Sequence, residues 1–169
     1  PNVPVHSGQY GNFIPNPIYE ASRLISSLKD SDGKVLIPNW YKDVLIDENE
    51  LALINKNMQP SLSIANGFGV SSYEKVGQSY QESLQYPSLN IRGIASGFVG
   101  EKARTIIPDK VEISIDIRLV PELGGEEAIR LLRQHLRAKG YRLLKNDPDA
   151  KTRKKYSKLV EKNDGEVVK

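Results

Sequence analysis

The stretch KVEISIDIRLV, residues 110–120, decides the fold. Its apolar residues occupy every second position: Val111, Ile113, Ile115, Ile117 and Leu119. Strict alternation is typical of a half-buried β-strand, with one face on a core and the other face open. Arg118 therefore falls on the open face, opposite the isoleucines.

Further elements are predicted on both sides of this strand. A helix begins at Asn16-Pro17, where Asn can cap and Pro is pre-set for the first turn, and it ends near Lys29. A second helix opens with Glu126 and Glu127 and stops at Gly140. Shorter strands are predicted at residues 3–5, 34–37, 89–94 and 141–144. This order predicts an α+β fold, a two-layer ferredoxin-like sandwich whose antiparallel sheet of about four strands carries two main helices on one face.

Residues 38–87 are irregular and are predicted to form a partly helical insertion. Capping boxes at residues 47–50 and 71–74 predict two short helices, and residues 60–70 are predicted to be loop. We expect one domain at residues 1–147. Residues 148–169 are expected to be a polar tail or a connection back to a missing partner domain.

Composition excludes several classes of function. The chain has 169 residues and a net charge of +3. Because it contains no cysteine, disulfides, thiolate nucleophiles and cysteine-based zinc sites are excluded. The basic residues near the C-terminus are accompanied only by Tyr156, which argues against nucleic-acid binding. No apolar run is long enough to span a membrane, and the N-terminus is not a signal peptide. We expect a soluble piece of a longer protein, with the cytoplasm favoured.

Few residues could carry chemistry. The two histidines, His6 and His135, are far apart, and no metallo-hydrolase, nucleophile-elbow or phosphate-loop motif occurs. His135 lies on a helix among arginines and is expected to be packed or solvated.

Three features stay open on the residues alone. His6 lies in a glycine-rich loop and is either functional or a turn histidine. Arg118 could fork onto a carboxylate or form a surface ion pair with Asp116 or Glu112. The third feature is the stretch at residues 104–108, which contains Thr105 and precedes the long strand.

Four segments together resemble a known family. VHSGQYG at residues 5–11, followed by Asn16-Pro17, resembles the opening of the lid domain in the aminoacylase/carnosinase/glutamate carboxypeptidase family. GKVLIPNWYKDV at residues 33–44 resembles its next segment, and GEKARTIIP at residues 100–108 and IRLVP at residues 117–121 resemble its later signature. The motifs occur in the family's order across residues 5–140.

The resemblance implies the dimerisation and lid domain of a zinc-dependent peptidase or amidohydrolase, which cleaves a peptide or N-acyl amino acid amide bond. Two zinc ions would belong to the missing catalytic domain, so this fragment alone is expected to hold no cofactor and to be inactive. The implied partners are that catalytic domain, a second copy in a homodimer, and the substrate. By resemblance, His6 stabilises the oxyanion in the other subunit's active site, Thr105 lies near the substrate, and Arg118 binds the substrate carboxylate.

Two alternatives remain. A regulatory ferredoxin-like module that binds amino acids would account for the fold and for Arg118, but it leaves the His6 loop without a role. The chain could also serve only as an oligomerisation domain.

Overall fold

A computed structural model describes residues 1–56, 60–146 and 148–152. Most of the expected C-terminal tail, residues 153–169, therefore lies outside the described residues, as does Asp147. In chain order the elements are β1 (Val5–His6), α1 (Ser7–Tyr10), α2 (Pro17–Ser26), α3 (Glu48–Asn55), α4 (Ser61–Gly67), α5 (Tyr80–Ser83), β2 (Ser88–Ala95), a 3₁₀ turn (Gly100–Lys102), β3 (Ile106–Ile107), β4 (Glu112–Arg118) and α6 (Gly125–Ala138). No helix in this described part is long and apolar enough to cross a membrane.

The strands form two small antiparallel sheets. β1 pairs with β3, with Val5 opposite Ile107 and His6 opposite Ile106, and β2 pairs with β4. The mixed helix and strand class is confirmed. The expected single sheet of about four strands is not what the described residues form, because they form two two-stranded sheets instead.

Two of the expected strands are missing from the described residues for local reasons. Residues 34–37 fold back through the turn at Gly33, so that Leu36 N–H donates to the Leu28 carbonyl at 2.8 Å and only an isolated bridge forms. Residue 141 is held by the end of α6, since Tyr141 N–H donates to the Leu136 carbonyl at 3.0 Å. An amide engaged in this way cannot begin a new ladder.

The insertion is partly helical, as expected, but its helices differ from the prediction. The short helix predicted from residues 47–50 is confirmed as α3, which the Asp47 carboxylate caps by accepting from Asn49 N–H at 2.7 Å. The loop expected at residues 60–70 is wrong, since α4 occupies most of it. The Pro60 carbonyl accepts from Ser63 and Ile64 N–H there, which closes the first helical turn.

The helix expected from the box at residues 71–74 is also wrong. Glu74 instead receives Lys29 Nζ on both carboxylate oxygens at 2.8 Å. The next residue, Lys75, donates through its backbone N–H to the Asp32 carbonyl at 2.7 Å. These contacts hold the segment extended against the turn at residues 29–33. The helix forms later, at α5, where the Ser79 hydroxyl oxygen accepts from Glu82 N–H at 3.0 Å.

The chain divides into two compact units. Unit 1 comprises Pro1–Ile25, Ile91–Ile115 and the described residues from Arg133 onward. Its buried residues include Ile107 and His135, so of the two environments expected for His135, packed or solvated, the structure has the packed one. Within this unit the Tyr141 hydroxyl donates to the Glu20 carbonyl at 3.1 Å, which ties the segment after α6 to α2.

Unit 2 comprises Ser26–Asn90 and Asp116–Leu132. Among the described residues it holds most of the buried apolar side chains: Leu28, Val35, Ile37, Trp40, Ala65, Leu89, Leu123, Ala128 and Leu131. Trp40 is 1% exposed, and its Nε1 donates to the Pro87 carbonyl at 3.1 Å. Trp40 and Ala65 of the insertion are thus buried in the same unit as apolar residues from before and after the insertion.

Candidate functional site

His6 ends β1 and caps the short helix α1. Its side chain is exposed, and its Nδ1 accepts from Gly8 N–H at 3.1 Å. An acceptor nitrogen must carry a lone pair, so the ring proton lies on Nε2. The backbone thus selects one tautomer and leaves Nε2–H as the donor of an exposed imidazole.

The glycines of the His6 loop are explained by close contacts. A Cβ on Gly8 would lie 3.0 Å from His6 Cε1 and 3.2 Å from Nδ1. A Cβ on Gly11 would lie 2.6 Å from the Ser7 carbonyl oxygen, which accepts from Gly11 N–H at 2.8 Å. A side chain at Gly11 would therefore clash with the backbone of α1, whereas a Cβ at Gly8 would press on the imidazole and shift it slightly.

Thr105 lies beside His6. Its carbonyl accepts from Ser7 N–H at 3.1 Å, and the following residue, Ile106, is the β3 partner of His6. Thr105 is exposed. Pairing of β1 with β3 therefore brings two of the three predicted site residues together, although about a hundred residues separate them in sequence.

Arg118 ends β4 on the open face that alternation predicted for it. Its side chain is 79% exposed, and Nε donates to an Asp116 carboxylate oxygen at 3.2 Å. The predicted surface ion pair with Asp116 is thus present, while Glu112 pairs with Lys110 instead. The two terminal nitrogens of Arg118 make no hydrogen bond to another described residue. Arg118 belongs to unit 2, whereas His6 and Thr105 belong to unit 1.

Unit 2 also contains a cavity of about 440 Å³ that the sequence did not reveal. Arg118 is part of its lining. Most of the other lining residues come from the insertion, and most of the lining side chains are aromatic or aliphatic: Val35, Tyr41, Ile64, Ala65, Phe68, Val70, Tyr73, Val76, Tyr80, Leu84, Tyr86 and Pro87. The only signal available in the sequence was the recurrence of tyrosine at positions 73, 80 and 86.

Burial acts on two of the tyrosines that line this cavity, Tyr41 and Tyr86. Burial raises the pKa of Tyr41, whose hydroxyl oxygen accepts from Val35 N–H at 2.9 Å, and it also raises the pKa of Tyr86. Their rings meet edge to face, with centroids 5.9 Å apart. Two aromatic rings in mutual contact thus form this part of the cavity wall.

The described residues show no group of three or more His, Cys, Asp or Glu side chains that could hold a metal ion. A zinc site needs three or four such side chains that converge on the metal, and the described residues do not provide them. No chemical step of a metal can be assigned to these side chains.

Comparison with known proteins identifies relatives. Residues 1–143 match the family model described as the peptidase dimerisation domain. The Cys-Gly metallodipeptidase DUG1 of Saccharomyces cerevisiae is 34% identical over 143 residues, which cover 82% of this chain and 30% of the yeast protein. The Beta-Ala-His dipeptidase of Mus musculus is 33% identical over 139 residues, covering 79% of this chain and 28% of the mouse protein.

A solved structure supports the same relationship. The di-peptidase Dug1p from Saccharomyces cerevisiae superposes with a TM-score of 0.70 at 30% identity, covering 82% of this chain and 30% of that chain. The chain thus spans about a third of the length of the relatives it matches. With a family match over most of its residues and a common fold, the chain belongs to the peptidase dimerisation domain family.

Proposed function

We propose that this chain is the lid and dimerisation domain of a zinc-dependent metallopeptidase or amidohydrolase that cleaves a peptide or an N-acyl amino acid. The relatives named above are a Cys-Gly metallodipeptidase and a Beta-Ala-His dipeptidase, which supports this class of substrate. The parent would be a homodimer, with the catalytic domain on the same chain. The two zinc ions would be held there, since the described residues here offer no ligand cluster.

The observation that carries the proposal is the state of the His6 imidazole. Gly8 N–H occupies Nδ1, and the exposed ring presents Nε2–H as a donor with no other partner among the described residues. When water adds to an amide carbonyl, negative charge develops on the oxygen. A donor already oriented toward that charge stabilises the transition state at no reorganisation cost. The family resemblance implies that this donor serves the active site of the other subunit.

Thr105 and Arg118 would anchor the substrate. The hydrogen bond between Ser7 and Thr105 makes Thr105 approach the substrate together with His6. Arg118 keeps its terminal nitrogens available for the two oxygens of a carboxylate, because only Nε is used by Asp116. Binding the carboxylate would fix the position and orientation of the substrate.

The test is kinetic, in the full-length protein. His6→Ala should lower kcat by about 10²- to 10³-fold with little change in KM, because the lost interaction exists only in the transition state. Gln9→Ala, an exposed neighbour in α1, is the matched control and should leave kcat unchanged.

Action across subunits has its own test. His6→Ala protein mixed with an inactive metal-site variant forms hybrid dimers with one complete site each. Random exchange should then restore about a quarter of the wild-type activity, because half the dimers are hybrids and one of their two sites is complete. Mixtures that stay as inactive as their components would refute action in trans, and an unchanged kcat in His6→Ala would refute the oxyanion role.

A further inference from the structure

The cavity of unit 2 has the features of a small-molecule site. Its volume of about 440 Å³ is within the range of cavities that bind metabolites and peptide side chains. It lies wholly among residues of one compact unit, between the insertion, the turn at residues 29–33 and the end of β4.

The cavity presents apolar surface to solvent. Phe68 is 84% exposed and Leu84 is 58% exposed, while Val70, Tyr73 and Tyr80 are each close to half exposed. All five side chains line the cavity. Apolar surface in a concave wall is covered favourably by an apolar ligand, since burial removes it from water.

The polar groups of the wall are mostly used within the protein. Lys29 is neutralised by the two carboxylate oxygens of Glu74, both at 2.8 Å. The Ser61 hydroxyl oxygen accepts from Tyr80 N–H at 3.1 Å, and the Ser83 hydroxyl donates to the Tyr80 carbonyl at 2.6 Å. Arg118 is the charged residue of the described lining whose donors remain available.

We propose that this cavity receives the side chain of the substrate residue whose carboxylate binds Arg118, and that it selects a bulky apolar or aromatic C-terminal residue. The inference rests on the proposed function in taking Arg118 as the carboxylate anchor. An apolar wall with one guanidinium at its lining matches a ligand that has an apolar body and an adjacent anionic group. A glycine as the C-terminal residue of the substrate would leave the apolar wall exposed to water.

Binding is tested without catalysis, by calorimetric titration of the full-length protein with three inert probes. 3-Phenylpropanoate has both the apolar body and the carboxylate, acetate lacks the body, and 3-phenylpropanamide lacks the charge. We expect 3-phenylpropanoate to bind at least about tenfold more tightly than either of the others. Equal binding of 3-phenylpropanoate and acetate, or no binding of 3-phenylpropanoate, would overturn the proposal.

Matched variants locate the site. Leu84→Ala removes an exposed side chain of the cavity and should weaken 3-phenylpropanoate binding about three- to tenfold. Leu62→Ala removes a side chain of similar exposure, 48%, outside the lining and should change nothing. Arg118→Gln should make the carboxylate and amide probes bind alike. Equal effects of the two leucine variants would show binding elsewhere and overturn the assignment.

Kinetics separates this proposal from the one on which it rests. In the active enzyme, kcat/KM for Ala-Phe should exceed that for Ala-Gly, and Leu84→Ala should reduce that ratio at least threefold while Leu62→Ala preserves it. Hydrolysis without this preference would overturn the cavity assignment and leave the proposed function intact. Absence of hydrolysis with unchanged probe binding would overturn the proposed function instead.

Discussion

Gly8→Ala should separate the stability of the His6 loop from its chemistry. Gly8 lies in α1 and has no positive φ, so an alanine fits the backbone there. The added Cβ would lie 3.0 Å from His6 Cε1 and 3.2 Å from Nδ1, which is closer than ordinary contact. The imidazole must therefore move by a few tenths of an ångström, while the helix gains a better helix former.

The substitution should raise the stability of the loop and lower kcat. Replacing glycine by alanine within a helix stabilises by up to about 0.5–1 kcal/mol, and the short α1 should give the lower end of that range. A misplacement of about 1 Å at a reacting centre can cost about 100-fold in rate, so a shift of a few tenths should cost roughly three- to tenfold in kcat. His6→Ala sets the upper limit of about 10²- to 10³-fold.

The assay compares urea unfolding with steady-state kinetics in the full-length protein. Gly67→Ala is the matched control, because Gly67 ends α4 and an added Cβ there meets nothing within 4 Å. It should leave kcat unchanged. If Gly8→Ala kept full kcat while His6→Ala was impaired, the position of the imidazole would be shown not to matter, and the reasoning from Nδ1 would be refuted.

Two further predictions concern stability. Gly33→Ala combines a φ of +86° with a Cβ placed 2.4 Å from the Glu74 side chain. Its free energy of unfolding should therefore fall by more than the roughly 1–2 kcal/mol that positive-φ strain costs. Gly69→Ala, at φ +75° with nothing within 4 Å, should lower the free energy of unfolding in urea by that strain alone. Burial raises the pKa of Tyr41 and of Tyr141. Above about pH 10 the unfolded chain therefore loses protons that the folded chain keeps. The free energy of unfolding should fall as the pH rises through this range. Tyr41→Phe should reduce this slope, and an unchanged slope would contradict it.

The regular elements were predictable because their signals are local. Alternation at residues 110–120 follows from strand geometry, and the structure has β4 at Glu112–Arg118 with Arg118 exposed. Asn16 caps α2 as its position beside Pro17 indicated, with its side-chain oxygen accepting from Ile18 N–H at 2.9 Å. Each signal needs only neighbours within a few residues.

The insertion was less predictable because its contacts are distant in sequence. Glu74 has the spacing of a capping box, but Lys29, 45 residues away, binds its carboxylate. Trp40 is fixed by Pro87, 47 residues away. The cavity arises from such contacts, so residue types alone could not indicate it. The strand expected at residues 34–37 is absent for a local reason, the turn at Gly33.

The candidate site divides along the two units in a way that the motifs do not reveal. His6 and Thr105 are joined through Ser7 and through β1–β3 pairing, so a substitution that moves one moves the other. Arg118 lies in unit 2, on the lining of a cavity in the same unit as the buried Trp40. Changes near His6 should therefore lower kcat for all substrates alike, because they act on charge that every substrate develops. Changes in the cavity should alter the preference among C-terminal side chains and leave the chemical step untouched. Under the proposed roles, substitutions in the insertion would change specificity while His6 stays in place as the oxyanion donor.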